Sequence, residues 1–272
     1  MKNFKITDCR NKKTPKVSVI VSFYKEKKIL NKSLQSLIKQ TFKDFEIILL
    51  SDGAEEETIK IAKKFVNKKN NVLYFESKKN LGLTKMLNIG LKYSRGTFLA
   101  RHDSDDVSAI SRFEKQVKFL NKNNHFDIIG SNAVYLNKKN KINIQMPETD
   151  EQIKKKLIFK NTIIHSSVMM RKRIFKNISY NEKFKRCQDY ELWLRLRSRF
   201  MFYNIQKNLV IRHNTSKKFL FSELILTSKA RFKHLGLIVS IIIFLKDLSV
   251  YFFKNSQTNL RYISQTALRI LR

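Results

Sequence analysis

The run Val17–Phe23, VSVIVSF, constrains this chain more than any other segment. It is almost continuously apolar and too short for a buried helix. Such a run suits a strand covered on both faces, and strands of that kind belong to parallel sheets wrapped by helices. Phe45–Leu50 (FEIILL) repeats the pattern, and between the two Leu30, Leu34, Leu37 and Ile38 recur at helical spacing. After Ser51-Asp52-Gly53, Glu55 to Glu57 open a further helix, where acidic residues complement the positive helix start. Ile59, Ala62, Phe65 and Val66 give that helix its apolar face.

The alternation continues with a third strand at Val72–Phe75 and a helix from Thr84 to Tyr93. A fourth strand, Thr97–Arg101, runs into His102-Asp103-Ser104-Asp105-Asp106, and a helix with Phe113, Val117 and Leu120 follows. The fold class expected is therefore α/β, a mostly parallel sheet with helices on both faces. The second half is less regular. Asp127–Leu136 reads as one or two strands, Asn137–Lys141 as a basic turn, and Thr149 as the cap of a helix carrying Ile153 and Leu157. Ile163–Met170 reads as a strand, and Asp189–Phe200 as a helix with Trp193 and Leu196 inward. The chain from Ser222 onward reads as helical, basic and apolar.

Open α/β sheets bind ligands outside the carboxyl ends of their strands. The cluster Asp103-Ser104-Asp105-Asp106 falls at such an end. Its carboxylates repel one another, and a hard divalent cation, Mn2+ or Mg2+, would compensate them and bridge to phosphate. An acidic turn capping the next helix would look the same in sequence. Asp52, also at a strand end, suits hydrogen bonds to a base or ribose, or plain Asp-Gly turn chemistry. Asp189 suits a catalytic carboxylate or an ordinary first-turn acid.

The charge is unusual, 56 Lys+Arg against 22 Asp+Glu, a formal +34. Such a field favours polyanions: nucleic acid, anionic membrane or phosphorylated substrates. The same excess arises from the Lys-, Asn- and Ile-rich residue usage of an AT-rich genome. No RNA-binding aromatic motif and no DNA-binding helix pattern is found, so a specific nucleic-acid partner is not expected. Cys9 and Cys187 form neither a metal-spaced set nor a disulfide framework, which implies a reduced, cytoplasmic setting. Met1 to Lys16 is polar and basic, so no signal peptide is expected. Leu235–Phe253 tempts a membrane-span reading, but Lys246 and Asp247 interrupt it, and Leu235–Leu245 alone is too short to span.

Six blocks in order carry a resemblance: VSVIVSFYKE (17–26), KQTFKDFEIILLSDG (39–53), NLGLTKMLNIGL (80–91), RGTFLARHDSDDVS (95–108), NTIIHSSVMMRK (161–172) and QDYELWLRL (188–196). Together they resemble bacterial glycosyltransferase family 2, in its capsule, exopolysaccharide and lipopolysaccharide branch, over about residues 16–213. The resemblance implies a GT-A fold, a Rossmann-like nucleotide-sugar-binding sheet. It also implies an inverting, metal-dependent hexosyl transfer in cell-envelope polysaccharide biosynthesis. The partners it implies are a nucleotide-sugar donor and a saccharide or lipid-linked saccharide acceptor. By position, Ser22, Tyr24 and Asp52 match the nucleoside-binding residues, Asp103 and Asp105 the metal-binding pair with Asp106 beside them, and Asp189 the catalytic base.

The chain departs from the family pattern at three places. Ser51 stands where an acid is frequent, Gln188 where Glu usually precedes the base, and Ser166 follows His165 where Pro is common. His165 and His213 are further candidates, His213 as a metal or diphosphate contact. The organisation expected is an N-terminal extension (1–15), a catalytic domain (16–215, donor half 16–110 and acceptor half 111–215) and a basic, apolar helical tail (216–272). The tail suits either packing on the catalytic domain or peripheral attachment to an anionic membrane surface, on the inner face of the cell membrane. A non-catalytic polyanion binder and an inactive transferase partner are the competing functions.

Overall fold

The computed structural model describes residues 4–68, 71–136, 140–213 and 221–254. The chain divides into two compact units, Met1–Thr215 and Ser216–Arg272. The first begins with β1 (Phe4–Asp8), β2 (Val17–Phe23), α1 (Lys27–Ile38), β3 (Phe45–Asp52), α2 (Glu56–Lys68), β4 (Val72–Ser77) and α3 (Leu83–Tyr93). It continues with β5 (Phe98–Asp103), β6 (Asp106–Ser108), α4 (Arg112–Lys122), β7 (Ile128–Leu136), β8 (Lys141–Ile144) and α5 (Asp150–Leu157). It closes with β9 (Met169–Arg171), α6 (Gln188–Leu196) and β10 (Phe202–His213).

The strands lie in one mixed sheet, in the order β1-β4-β3-β2-β5-β9-β7-β10-β6, with β8 added on β7. The two fully buried runs are neighbours: β2 pairs in parallel with β3 on one side and with β5 on the other. Chain order reverses at β2, so a crevice opens at the carboxyl ends of β2 and β5.

Alternation along β2 serves both faces. Val17, Val19 and Val21 join one core with Leu30, Leu34 and Leu37 of α1, Ala62 and Phe65 of α2, and Phe113 of α4. Ile20 meets α3 on the opposite face. A Cβ on Gly90 would lie 2.5 Å from Ile20 Cγ2, so the close helix–strand approach needs glycine there.

The Ile163–Met170 expectation is corrected. His165–Ser167 forms a 3-10 turn, and only Met169–Arg171 is strand. Ser167 Oγ donates to the Ile164 carbonyl at 2.8 Å. That local bond competes with ladder pairing, which apolar patterning does not reveal. Thr149 does cap α5, accepting from the Gln152 amide at 3.4 Å. The proposed turn at 137–141 falls partly outside the described residues, and Lys141 already belongs to β8. Residues 4–8, in the segment read as an extension, pair antiparallel with β4. The twelve-residue strand β10 is a second element that patterning did not mark.

The second unit holds α7 (Phe221–Leu235) and α8 (Leu237–Lys254), parted at Gly236, whose φ of +86° is left-handed. Asp247, the acid inside the apolar stretch, pairs with buried Arg231 at 2.6 Å. No helix among the described residues is long and apolar enough to cross a membrane.

Candidate active site

The acidic cluster sits where β5 ends and β6 begins. Asp103 is the last residue of β5 and Asp106 the first of β6, so strands hold the loop at both ends. One carboxylate oxygen from each of Asp103, Asp105 and Asp106 lies within 4.8 Å of the others. Asp103 and Asp105 are partly exposed, whereas Asp106 is buried. Its Oδ2 finds no hydrogen-bond partner. Burial, followed by the charges of Asp103 and Asp105, pushes the Asp106 pKa up to about 7. Three oxygen donors, one of them a buried acceptor with no hydrogen bond, fit a hard divalent cation.

The sheet brings cations to the rim of this cluster. In the antiparallel pair of β10 and β6, Arg212 lies opposite Asp106, with Nε 3.7 Å from Oδ2. His213 follows, beside the Asp105 backbone, and burial and then Lys32 hold its pKa low. Arg101 is buried and forms an ion pair with Asp103, while also donating to the His102 carbonyl. Burial raises the Asp103 pKa, but Arg101 first among the surrounding positive groups more than offsets this, and the net shift is downward.

A buried polar layer supports the loop from below. His102 Nε2 meets Ser33 Oγ at 2.8 Å and Nδ1 meets Ser108 Oγ at 3.1 Å. Arg112, fully buried, donates to Ser108 Oγ at 2.9 Å and to the Arg101 carbonyl at 2.8 Å. Burial and then the Arg112 charge bring the His102 pKa down to about 3, so the imidazole is neutral at physiological pH.

The other sequence candidates gather around the same crevice. Ser22 occupies the same rung as Asp103 across the β2–β5 pair and is buried. Tyr24, just beyond β2, donates its amide to Glu26 at 2.7 Å. Asp52 ends β3, and its two oxygens accept from the Leu81 amide at 2.6 Å and the Gly82 amide at 3.0 Å. That carboxylate therefore fixes the loop before α3, a task its turn-like sequence context does not disclose. Burial raises its pKa, and those amides oppose the rise.

Asp189 lies in the first turn of α6, whose preceding residue Cys187 is left-handed at φ 54°. Its Oδ2 accepts from Asn161 Nδ2 at 2.7 Å. His165, hydrogen-bonded to the Tyr180 hydroxyl at 2.9 Å, feels both Asp189 and Asp103. Burial, with Arg101 next, lowers its pKa to about 4.

Arg101, Arg212 and Asn161 had no assigned role at sequence level. Arg101 carried a readable signal, because residues two apart on a strand share a face and Arg101 therefore shares one with Asp103. Arg212 and Asn161 reach the site only through pairing and packing with distant segments.

A mixed sheet with a switch point at β2, and a carboxylate cluster with basic groups at its rim, make an α/β architecture of the GT-A type. The model of "Glycosyl transferase family 2" matches residues 18–179, and the chain belongs to that family. It is 31% identical over 186 residues to an uncharacterized glycosyltransferase of Methanocaldococcus jannaschii, covering 66% of this chain and 64% of that one. The chain thus spans just under two thirds of that relative. "Putative glycosyltransferase EpsE" of Bacillus subtilis is 32% identical, with 72% of each chain covered. Amylovoran biosynthesis glycosyltransferase AmsE of Erwinia amylovora is also 32% identical, covering 66% and 69%. Among solved structures, TarS 1-349 of S. aureus in complex with UDP-GlcNAc superposes with a TM-score of 0.67 at 21% identity, covering 87% of this chain and 72% of that one.

Proposed function

We propose that this glycosyltransferase moves a hexose from a nucleoside-diphosphate sugar to a hydroxyl of a saccharide or lipid-linked saccharide, with inversion, in surface-polysaccharide synthesis. The observation that carries the reading is the carboxylate trio at the end of β5, with an Asp106 oxygen that accepts no hydrogen bond. Asp103 and Asp105, with Asp106 beside them, would hold a divalent cation. Such an ion stabilises the negative charge that develops on a departing diphosphate. Arg212 and His213 supply further positive charge or hydrogen bonds at the same rim, and Ser22, Tyr24 and Asp52 line the nucleoside end.

Asp189 takes the proton of the acceptor hydroxyl as that oxygen bonds to the anomeric carbon. The bond from that carbon to the diphosphate breaks, and its electron pair leaves with the diphosphate. One base and a single displacement give inversion. The AmsE relative, named for polysaccharide biosynthesis, supports the product class. Calorimetric titration of UDP and GDP with and without Mn2+ tests the reading. Metal-dependent binding is expected in the native chain and not in Asp105→Ala. Binding indifferent to both the metal and that substitution would instead mark a polyanion binder.

For location, the reading is a cytoplasmic enzyme held peripherally at the membrane. Leu237, Ile238, Ile242 and Leu245 of α8 are exposed, and the chain is strongly basic. An exposed apolar helix face with basic neighbours suits an anionic interface. Flotation with anionic liposomes should fall sharply in Ile238→Lys/Ile242→Lys, and equal flotation would remove α8 as the anchor.

A further inference from the structure

A groove of about 450 Å3 lies beside the proposed base, within the range of about 300–1,000 Å3 usual for ligand pockets. It runs from the end of β8 past α5 to Asn161. Asn161 belongs to both places, because it lines the groove while its side-chain amide holds Asp189 at 2.7 Å. A ligand filling the groove therefore ends one residue away from the carboxylate read as the base.

The lining suits a sugar with a negative charge. Gln152 offers side-chain N–H donors to sugar hydroxyl oxygens, and its Oε1 is held by the Glu148 amide at 3.1 Å. Gln206 shapes the wall: its Nε2 donates to the Asn204 carbonyl at 2.7 Å and the Met146 carbonyl at 3.3 Å, and its Oε1 accepts from Asn132 Nδ2 at 3.2 Å. Met146 and Pro147 give apolar surface for the C–H face of a pyranose ring. Lys156 and Lys160 are both exposed on the rim. The Lys160 amide bonds back to the Lys156 carbonyl at 3.1 Å, so the helical turn carries both ammonium groups to one side. Glu148 also lines the groove and keeps its negative charge while accepting from the Tyr203 hydroxyl. Among the described residues neither lysine has a carboxylate partner, so the two ammonium groups outweigh that single carboxylate and the lining is net positive.

We propose that this groove binds the body of the acceptor, a saccharide carrying a carboxylate or phosphate that Lys156 and Lys160 receive. The inference deepens the transferase reading and rests on it for the word acceptor. The neighbouring Asp189 gives the groove its direction: the sugar hydroxyl nearest Asn161 is the one presented for proton removal.

Ligand-observed NMR titration of the full chain tests this, with a glucuronic acid disaccharide, glucose 6-phosphate and neutral lactose as probes. The charged probes are expected to bind about tenfold more tightly than lactose. Lys156→Glu/Lys160→Glu should abolish that advantage. A control at another exposed pair, Lys118→Glu/Lys122→Glu on α4, should keep it. The better of the two charged probes tells carboxylate from phosphate. Equal binding of all three probes, or equal loss in both double variants, overturns the groove. Mn2+-dependent UDP binding, measured on the same samples, should be unchanged by either variant. If UDP does not bind while the charge dependence in the groove persists, the transferase reading fails and the saccharide site stands.

Discussion

Arg212 lies opposite Asp106 across the β10–β6 pair, yet its Nε stays 3.7 Å from Oδ2, beyond a hydrogen bond. The acid is buried beside a guanidinium that does not bond to it. Burial and the charges of Asp103 and Asp105 push its pKa up to about 7 despite that cation. Burial first, and the neighbouring acids after it, outweigh the nearest base in setting the character of Asp106.

Adding Mn2+ should therefore raise the melting temperature of the native chain in the presence of UDP, and Asp105→Ala should remove that rise. A 100-fold excess of ligand over its dissociation constant corresponds to about 2.7 kcal/mol of stabilisation. Differential scanning fluorimetry reads this directly.

Asp189→Asn should keep donor affinity within about twofold while transfer falls by roughly 10²–10⁴, the range for loss of a general base. Asn161→Ala removes the amide that holds Asp189 Oδ2. It should lower kcat about tenfold with donor KM unchanged. An effect on donor KM alone would show that Asn161 does not position the base.

Gly53 follows Asp52 with φ of +68°, and a Cβ there would meet Asn80 N at 2.5 Å and the Lys79 carbonyl carbon at 2.6 Å. Gly53→Ala should cost about 1–3 kcal/mol through strain and displacement of the 79–82 loop. Because Asp52 holds Leu81 and Gly82 of that loop, nucleotide affinity should fall as well. Urea denaturation and UDP titration check the two effects together.

His102 has a folded pKa of about 3 against an ordinary value of 6.5. The unfolded chain thus gains a proton below pH 6.5 that the folded chain refuses until about pH 3. The stabilisation is complete above pH 6.5 and drains away as pH falls between those values. Against His102→Asn, the native chain should lose stability more steeply from pH 6 to 4, by up to about 1.4 kcal/mol per pH unit. Parallel slopes would show that His102 titrates normally.

The donor half was legible because its signals are local. Apolar runs as continuous as VSVIVSF and FEIILL admit few alternatives to a buried strand, and the cores of β2 and β3 fall where they were expected. The acidic cluster was legible for the same reason, since its carboxylates adjoin in sequence. Ile163–Met170 was misread because Ser167 satisfies a backbone carbonyl with its own side chain, a choice invisible to hydropathy. β10 was missed because its middle, Gln206-Lys207-Asn208, is polar where the strand shifts register against β7. The functions of Arg212 and Asn161 depend on pairings with residues 106 and 189, and no local pattern encodes those.

The late position of β10 bears on when the site comes into being. β6 is three residues long and gains its antiparallel partner only from residues 210–212, about a hundred positions further along the chain. Contacts so distant in sequence close a large loop and form late in folding. On the ribosome, the acidic loop emerges well before the strand that fastens it. Competence to bind the donor would then arrive only as the catalytic unit is completed, and a nascent chain stopped before β10 would carry the carboxylates without the site.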